Sequence, residues 1–260
     1  MNILLTNEDG VHSPGIAEIA RVLMEKHRVW IVAPSGERSA CGHSITMNVP
    51  LFVKKKVLPG LENVPAWAVS GTPADTVKIG IEAVVQEKVD LVISGINLGA
   101  NLGADIFYSG TLSAAIEAAV LGRKGLAVSL EMKGADSLQY LPGAARCAAL
   151  FLEQIDVRRD IAQVINLNVP AMPFEEIKGF KCGRQGEMRW EDHYEKRVDP
   201  RGREYYWLTG KLMGPFAPDT DSAIVKDGYA SVTPLHCDLT NYGELEQIKC
   251  NFSNLKLHSG

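Results

Sequence analysis

The length and composition of the chain are those of a soluble globular protein with a sizeable core. It has 260 residues, of which 46% are hydrophobic and 22% are charged, and its formal net charge is −4. These values exclude the disordered and fibrous classes, and the lack of a basic excess argues against nucleic acid as a partner, because a phosphate backbone requires a basic surface.

The N-terminus and the cysteines indicate the compartment. The apolar run in MNILLTNEDG is too short for a signal peptide, and no segment approaches the roughly 18 to 20 apolar residues of a membrane span. The five cysteines are scattered and form no CxxC motif, so neither a disulfide framework nor a zinc ribbon is indicated. We therefore expect a cytoplasmic protein that has no membrane partner.

Apolar runs alternate with helix-like stretches over about the first 170 residues. A short apolar run at 3–5 is followed by an amphipathic stretch over 16–26 and a second apolar run, Arg28–Pro34. Further along the chain we predict helices over 76–88, 111–121 and 144–154, and strands over 91–93, 125–130 and 164–169. The apolar runs show little alternation, which is typical of parallel strands covered by helices on both faces. The pattern predicts an α/β fold with a doubly wound, mostly parallel, Rossmann-like sheet.

The character of the sequence changes after Pro170. Residues 180–210 are rich in charged and aromatic side chains, and the alternation in REYYWLTG predicts antiparallel strands. The aromatic residues of this segment are assigned either to stacking on a base or to packing between subunits. We predict a single domain overall, with an α/β core over residues 1–175 and a β-rich excursion with a C-terminal segment over residues 176–260.

Polar side chains follow three of the predicted strands. Glu8 and Asp9 follow the first strand, the segment SGERS at 35–39 follows the second, and SGINLGAN at 94–101 follows the strand at 91–93. In an open parallel sheet the carboxyl ends of the strands meet at one edge, and ligands bind there. We therefore expect these three loops to form one site.

The acid pair Glu8-Asp9 indicates a metal ion at this edge. Two adjacent carboxylates repel each other unless a cation or a proton offsets their charge. Oxygen ligands without histidine or cysteine favour a hard ion such as Mg²⁺ or Mn²⁺. The alternative is a solvated turn in which Asp9 caps a helix.

A glycine-rich stretch leads from the third loop into an alanine-rich helix. In chain order it carries Asn97, Asn101, Ser109, Gly110 and Thr111. Unpaired backbone N–H groups and the positive end of the helix dipole suit a phosphate group. The alternative is that Ser109 or Thr111 is only an N-cap. The patterns GxxxxGK[ST] and GxGxxG are absent, which disfavours nucleoside triphosphates and dinucleotide cofactors.

Two further features are assigned less specifically. The segment SGTPAD at 70–75 is either a wall of the site or an ordinary helix cap. His12 and His43 lie in the candidate loops, with an ordinary surface position as the alternative for each.

Four motifs in a fixed order resemble the stationary-phase survival protein SurE family. They are TNEDGVHSPG at 6–15, SACGHSIT at 39–46, SGTPADTV at 70–77 and SGINLGANLGADIFYSGTLSAAIEA at 94–118. Each motif alone is weak, whereas their order and spacing together are highly specific. Further matches, among them DTDSAIVKDGYASVTPL at 219–235, extend the resemblance over almost the whole chain.

The resemblance implies a metal-dependent phosphatase that acts on nucleoside 5'- and 3'-monophosphates. It implies one divalent metal ion, Mg²⁺ or Mn²⁺ in the first place, and a C-terminal arm that exchanges between the subunits of a homodimer or homotetramer. Carried over by position, the metal ligands of the family fall on Glu8, Asp9, Ser39 and Asn97. The phosphate-binding positions fall on Asn101, Ser109, Gly110 and Thr111. The family most often has two aspartates where this chain has Glu8-Asp9. We expect this difference to affect the rate of hydrolysis and the choice of metal more than the function.

The resulting hypothesis assigns catalysis to Asp9 and Asn97. The metal ion activates a water molecule that Asp9 positions for attack on phosphorus. Two alternatives are kept: an exopolyphosphatase or a phosphatase of another phosphomonoester, and a non-enzymatic nucleotide-binding regulatory module in which Glu8 marks lost turnover.

Overall fold

The computed structural model describes residues 1–155, 163–187, 190–212 and 216–252. Within these ranges the chain forms one nine-stranded sheet and a separate two-stranded ribbon. The strands are β1 (Asn2–Thr6), β2 (Arg28–Pro34), β3 (Val53–Lys56), β4 (Ala66–Val69), β5 (Leu91–Leu98), β6 (Lys124–Leu130), β7 (Val164–Val169), β8 (Phe180–Cys182), β9 (Trp190–Val198), β10 (Glu204–Leu212) and β11 (Ala230–Leu235).

The order of strands in the large sheet is β3-β4-β2-β1-β5-β6-β7-β11-β8. The six strands from β4 to β7 in this order are parallel, β3 is antiparallel to β4, and β11 is antiparallel to β7. The order reverses on either side of β1, as in a doubly wound sheet. The predicted α/β fold with a mostly parallel sheet is thus confirmed.

Helices cover both faces of the sheet. These helices are α1 (Pro14–Leu23), α2 (Pro73–Ile79), α3 (Gly110–Val120), α4 (Leu141–Gln154) and α5 (Asp221–Lys226), while α6 (Tyr242–Phe252) buries none of its residues. Because side chains alternate along a strand, Ile3 and Leu5 of β1 pack in the layer of α1 and α4, whereas Leu4 packs in the layer of α2 and α3. None of the helices in the described ranges combines the length and apolar character that crossing a bilayer requires.

Several predicted element boundaries are wrong. The strand predicted over 91–93 continues to Leu98, with a register shift between Ser94 and Asn97 in its pairing with β6. Gly95 adopts a φ of 139°, which permits this irregular backbone. In the sequence, a glycine among polar residues has the pattern of a loop, so the continuation of the strand was not predicted. The helix predicted over 76–88 is α2 followed by a π-helical turn, Gly80–Val84. The strands β3, β4 and β8 and the helices α5 and α6 were not predicted.

The segment after residue 175 contributes to both sheets. β8 and β11 extend the large sheet, while β9 and β10 pair only with each other among the described residues, as the predicted antiparallel strands. Tyr206, Trp207 and Leu208 of this ribbon are each more than half exposed. The predicted exchange of this segment between subunits stays a prediction.

Candidate functional site

The acid pair lies directly after β1, at the carboxyl edge of the sheet. Glu8 is 8% exposed, and Asp9 is partly buried. The Asn7 side chain closes the turn, since it donates to the Gly10 carbonyl oxygen (2.9 Å) and accepts from the Gly10 N–H (3.1 Å). The N-cap of α1 is Ser13, so the alternative in which Asp9 caps this helix is wrong.

Burial makes the charged forms of both carboxylates unfavourable. It raises the pKa of Glu8 from 4.5 to about 7, where the hydrogen bond from Gly110 opposes the shift and the charges of Asp9 and Glu37 add to it. It raises the pKa of Asp9 from 3.8 to about 6, with a hydrogen bond from Leu98 acting against it and the charge of Glu37 again adding to it. Asp9 Oδ2 is buried and has no hydrogen-bond partner in the described part of the chain. A bound cation would favour the charged forms of both carboxylates and would give Asp9 Oδ2 a partner.

The loop after β2 closes against the acid pair. The Arg38 N–H donates to the Glu8 carbonyl oxygen (2.8 Å), and an added Cβ on Gly10 would lie 3.1 Å from the backbone of Gly36. Ser39 is exposed, and its hydroxyl donates to Glu37 Oε1. The predicted ligand Ser39 therefore lies in the loop that covers the pair, where it is bonded to a third carboxylate.

The end of β5 brings Asn97 next to Asp9. The hydrogen bond from the Leu98 backbone to the Asp9 carboxylate joins the two strand ends. Asn97 is 6% exposed, and its side-chain nitrogen donates to the Gly99 carbonyl oxygen (2.7 Å). This bond orients the amide, so that its oxygen is the atom available to a cation.

The start of α3 contacts the acid pair from the third side. The Gly110 N–H donates to Glu8 Oε2 (2.6 Å), and the Thr111 backbone also bonds to this carboxylate. Ser109 is the N-cap of α3 and accepts from the Leu112 N–H (3.1 Å), so the cap alternative holds for Ser109. The Thr111 hydroxyl is fully buried and has no partner among the described residues. The amide predicted to bind phosphate at Gly110 is thus bonded to Glu8 in this structure.

The predicted phosphate ligand Asn101 lies in the loop that follows β5. It is 6% exposed, and its side-chain nitrogen donates to the Ser129 hydroxyl of β6 (2.8 Å). The Asn101 backbone is bonded to Asn166 and Asn168 of β7. Sequence reasoning missed these two asparagines, although their i, i+2 spacing places both on one face of β7.

The segments at 70–75 and 39–46 are joined by hydrogen bonds. Thr72 and Asp75 form a capping box at α2, so the cap interpretation of 70–75 holds. Asp75 also accepts from the Thr46 N–H (2.9 Å), which fastens the end of the loop that carries Ser39. His43 lies in the same loop, and its Nε2 contacts the buried Glu117 of α3 at 2.7 Å.

The donor chemistry at this edge suits a hard cation. Among the described residues, no group of three or more histidine, cysteine, aspartate and glutamate side chains is arranged to hold a metal ion. The predicted set instead combines two carboxylates with a hydroxyl and an amide oxygen, which are ligands that Mg²⁺ and Mn²⁺ accept. Glu37 is a further carboxylate near the pair, and sequence reasoning missed it even though it lies within the segment SGERS.

Comparisons with known proteins point to one family. The family model described as "Survival protein SurE" matches residues 3–192. The 5'-nucleotidase SurE of Thermosipho africanus is 45% identical over 251 residues, with 96% of each chain covered. The 5'-nucleotidase SurE of Syntrophus aciditrophicus is 43% identical, with 97% of this chain and 94% of the relative covered. The crystal structure of the SurE protein from Aquifex aeolicus superposes with a TM-score of 0.83 at 37% identity, over 96% of this chain and 99% of that one.

Proposed function

The chain belongs to the SurE family, and from this premise we propose that it is a metal-dependent 5'-nucleotidase that hydrolyses nucleoside 5'- and 3'-monophosphates to nucleoside and phosphate. The hydrolase class follows from the curated relatives, which are named 5'-nucleotidase SurE. The observation that carries the proposal is the buried acid pair on which three loops converge, with Asp9 Oδ2 lacking a partner within the described ranges.

The metal ion would be held by Glu8, Asp9, Ser39 and Asn97. Mg²⁺ or Mn²⁺ fits this oxygen-only set, and other divalent ions are alternatives. When bound, such an ion polarises the phosphate and lowers the pKa of a coordinated water molecule.

The residues of the chain carry the remaining chemistry. Asp9 orients the attacking water and accepts its proton. Asn97 holds its side-chain oxygen towards the same position. Asn101 and the Thr111 hydroxyl stabilise the charge that develops on the phosphoryl oxygens, while the Gly110 N–H holds Glu8.

The burial of the loops keeps these groups in position. Glu8 is fixed by the Gly110 N–H, and Asn101 is fixed by β6 and β7. Donors that are already oriented need no rearrangement during the reaction, which is the main source of electrostatic stabilisation in such sites.

A phosphate-release assay tests the proposal. The purified protein is incubated with 5'- and 3'-monophosphates of the four ribonucleosides and with short polyphosphate, each with Mg²⁺, with Mn²⁺ and with EDTA. We expect release from nucleoside monophosphates that requires the divalent ion. Release from polyphosphate alone would support the exopolyphosphatase alternative, and nucleotide binding without any release would support the regulatory module.

We also propose that the protein is a cytoplasmic homodimer or homotetramer in which the segment 176–260 exchanges between subunits around the core 1–175. The ribbon residues Tyr206, Trp207 and Leu208, each more than half exposed, support this proposal, because large apolar side chains exposed on both faces of a ribbon favour burial against another chain. Light scattering coupled to size exclusion measures the mass, and a monomer at all concentrations would contradict it.

A further inference from the structure

Two asparagines in the middle of β7 hold the loop that carries Asn101. Asn168 Oδ1 accepts from the Asn101 N–H (2.8 Å), and Asn168 Nδ2 donates to the Asn101 carbonyl oxygen (3.2 Å). Asn166 Nδ2 donates to the same carbonyl oxygen (2.8 Å). Both side chains are fully buried. The N–H and the carbonyl oxygen of Asn101 are therefore both bonded to the strand.

A buried carboxylate fastens the same loop two residues later. Asp221, at the start of α5, is fully buried, and its Oδ2 accepts from the Gly103 N–H (2.9 Å). Its Oδ1 accepts from the N–H groups of Gly186 (3.0 Å) and Ser222 (2.7 Å). The Gln185 side chain completes this clamp by donating to the Gly103 carbonyl oxygen (2.8 Å). Residues from the C-terminal part of the chain thus fix a loop of the core.

The fold alone does not require polar groups at these positions. Asn166 and Asn168 occupy the interior of a central strand, where apolar side chains are usual, as Leu167 between them illustrates. Burying an amide is costly unless it is hydrogen-bonded, and Asn166 Oδ1 is buried without a partner among the described residues. The bonds that both side chains do make lead to one residue, Asn101.

We propose that Asn166, Asn168 and Asp221 are positioning residues that set the conformation of the loop 99–103 for phosphate binding by Asn101. The proposal rests on the proposed function, because Asn101 acts on phosphate only there. None of the three needs to contact the substrate. Their effect is transmitted through the Asn101 peptide group and the Gly103 N–H, while the Glu8-Asp9 pair on the other side of β5 is held by separate contacts.

The central experiment compares Asn168→Leu with the wild type in the full-length protein. Amide hydrogen exchange of Asn101 and Gly103 is measured without substrate, and binding of Mn²⁺ and of inorganic phosphate is measured by calorimetry. We expect faster exchange at these two amides, unchanged Mn²⁺ affinity, and phosphate binding that is weaker by about tenfold or more, since small displacements of aligned groups cost up to 100-fold.

Three variants separate positioning from general destabilisation. Asn168→Asp keeps the acceptor for the Asn101 N–H but places a carboxylate oxygen against the Asn101 carbonyl oxygen, so it should also weaken phosphate binding. Asn166→Leu removes a single bond and should have a smaller effect than Asn168→Leu. Ser231→Ala is the matched control, since Ser231 is fully buried opposite Asn168 on β11 and its hydroxyl bonds to no described residue.

The outcomes distinguish this proposal from the proposed function. Unchanged exchange at Asn101 in Asn168→Leu would overturn the positioning role even if the enzyme is active. Equal losses of phosphate affinity in Asn168→Leu and Ser231→Ala would also overturn it. If the wild type releases phosphate from no nucleotide, the proposed function fails, and the exchange and phosphate-binding data still decide the role of Asn168. If Asn168→Leu does not fold, the same measurements on Asn166→Leu and Asp221→Asn decide it.

Discussion

The strand-end loops around Glu8 and the β9–β10 ribbon are organised in opposite ways. The loops after β1 and β5 are irregular in backbone but mostly buried or half-buried, and their polar groups bind to strands, helices and one another. The ribbon is regular, with nine paired residues on each strand, yet Tyr194, Tyr206 and Trp207 are each more than half exposed. Regular hydrogen bonding therefore does not by itself indicate burial in this molecule. The buried loops are held by specific polar contacts, because an amide or carboxylate removed from water must keep its partners.

A loss of charge in the buried region should have the largest effect on activity. We expect Asp9→Asn to lower phosphate release by about 100-fold or more, because it removes a metal ligand and the proton acceptor together. Initial rates with Mn²⁺ and a purine 5'-monophosphate measure the loss. The charge-matched control is Glu195→Gln in the ribbon, an exposed carboxylate paired with Arg197, which should keep the wild-type rate. Equal rates for both variants would contradict the assignment of Asp9.

A methyl group at the contact between α1 and β5 should have the next largest effect, on stability. A Cβ on Gly15 would lie 2.0 Å from the Ile96 carbonyl oxygen, within the irregular part of β5 that precedes Asn97. Overpacking of this kind usually costs about 1 to 3 kcal/mol, and backbone against backbone has little room to relax, so we expect Gly15→Ala to reach at least the upper end. Urea unfolding measures the loss in the free energy of unfolding.

Gly36→Ala is the matched control for this substitution. An added Cβ there meets no atom within 4 Å, although Gly36 belongs to a loop of the same site. Its free energy of unfolding should stay within about 0.5 kcal/mol of the wild type. A larger loss in Gly36→Ala than in Gly15→Ala would show that the loops, and not the contact between α1 and β5, limit the stability of this region.

The acid pair should give the buried region a pH dependence in the absence of metal ions. Burial raises the pKa of Glu8 to about 7 and that of Asp9 to about 6, so the folded state binds more protons than the unfolded state between about pH 4 and pH 7. This contribution to stability is present at the lower pH and is lost as the pH rises. In EDTA we therefore expect the melting temperature to fall between pH 5 and pH 7.5.

The double variant Glu8→Gln/Asp9→Asn tests the origin of this slope. It removes both titrating groups, so its melting temperature should change less over the same interval. An unchanged slope would mean that other groups cause it. Because a divalent ion favours the charged carboxylates, added Mn²⁺ should stabilise the wild type most at the upper end of the interval.

The smallest effect is expected in the ribbon. Trp207→Ser removes a side chain that is exposed in the single chain, so the free energy of unfolding of the monomer should change by no more than about 0.5 kcal/mol. Urea unfolding at a protein concentration where the mass has been measured tests this. A loss above about 1 kcal/mol at a concentration where the protein is monomeric would remove the contrast with the core, whereas a lower mass than that of the wild type is the change that the proposed association of subunits predicts.

The features that could be predicted from the sequence are set by residues close together in the chain or by the parallel order of the strands. The bounds of β2 and β7 follow from apolar runs, and the convergence of the loops after β1, β2 and β5 follows from the parallel sheet. The edge strand β3 was missed because three of its four residues are lysines, and α6 was missed because it has no buried face. The continuation of β5 was missed because its backbone is irregular at Gly95.

The hydrogen bonds that hold the site loops in position could not be predicted from the sequence. The bond between Asp221 and Gly103 joins residues 118 positions apart, and that between Asn168 and Asn101 joins residues 67 positions apart. Only the packed structure brings such groups together. The hydrogen bond from the Gly110 N–H to Glu8 spans 102 positions and is likewise formed only in the packed structure.

The direction of β11 has a practical consequence. Because β11 runs antiparallel to β7, its last residue, Leu235, pairs with Val164 at the beginning of that strand. The chain that follows β11 therefore leaves from the edge of the sheet opposite to Glu8. A fluorescent reporter or a surface tether joined to that part of the chain would start from the far side of the molecule, so immobilised protein should keep its substrate entrance open to solution.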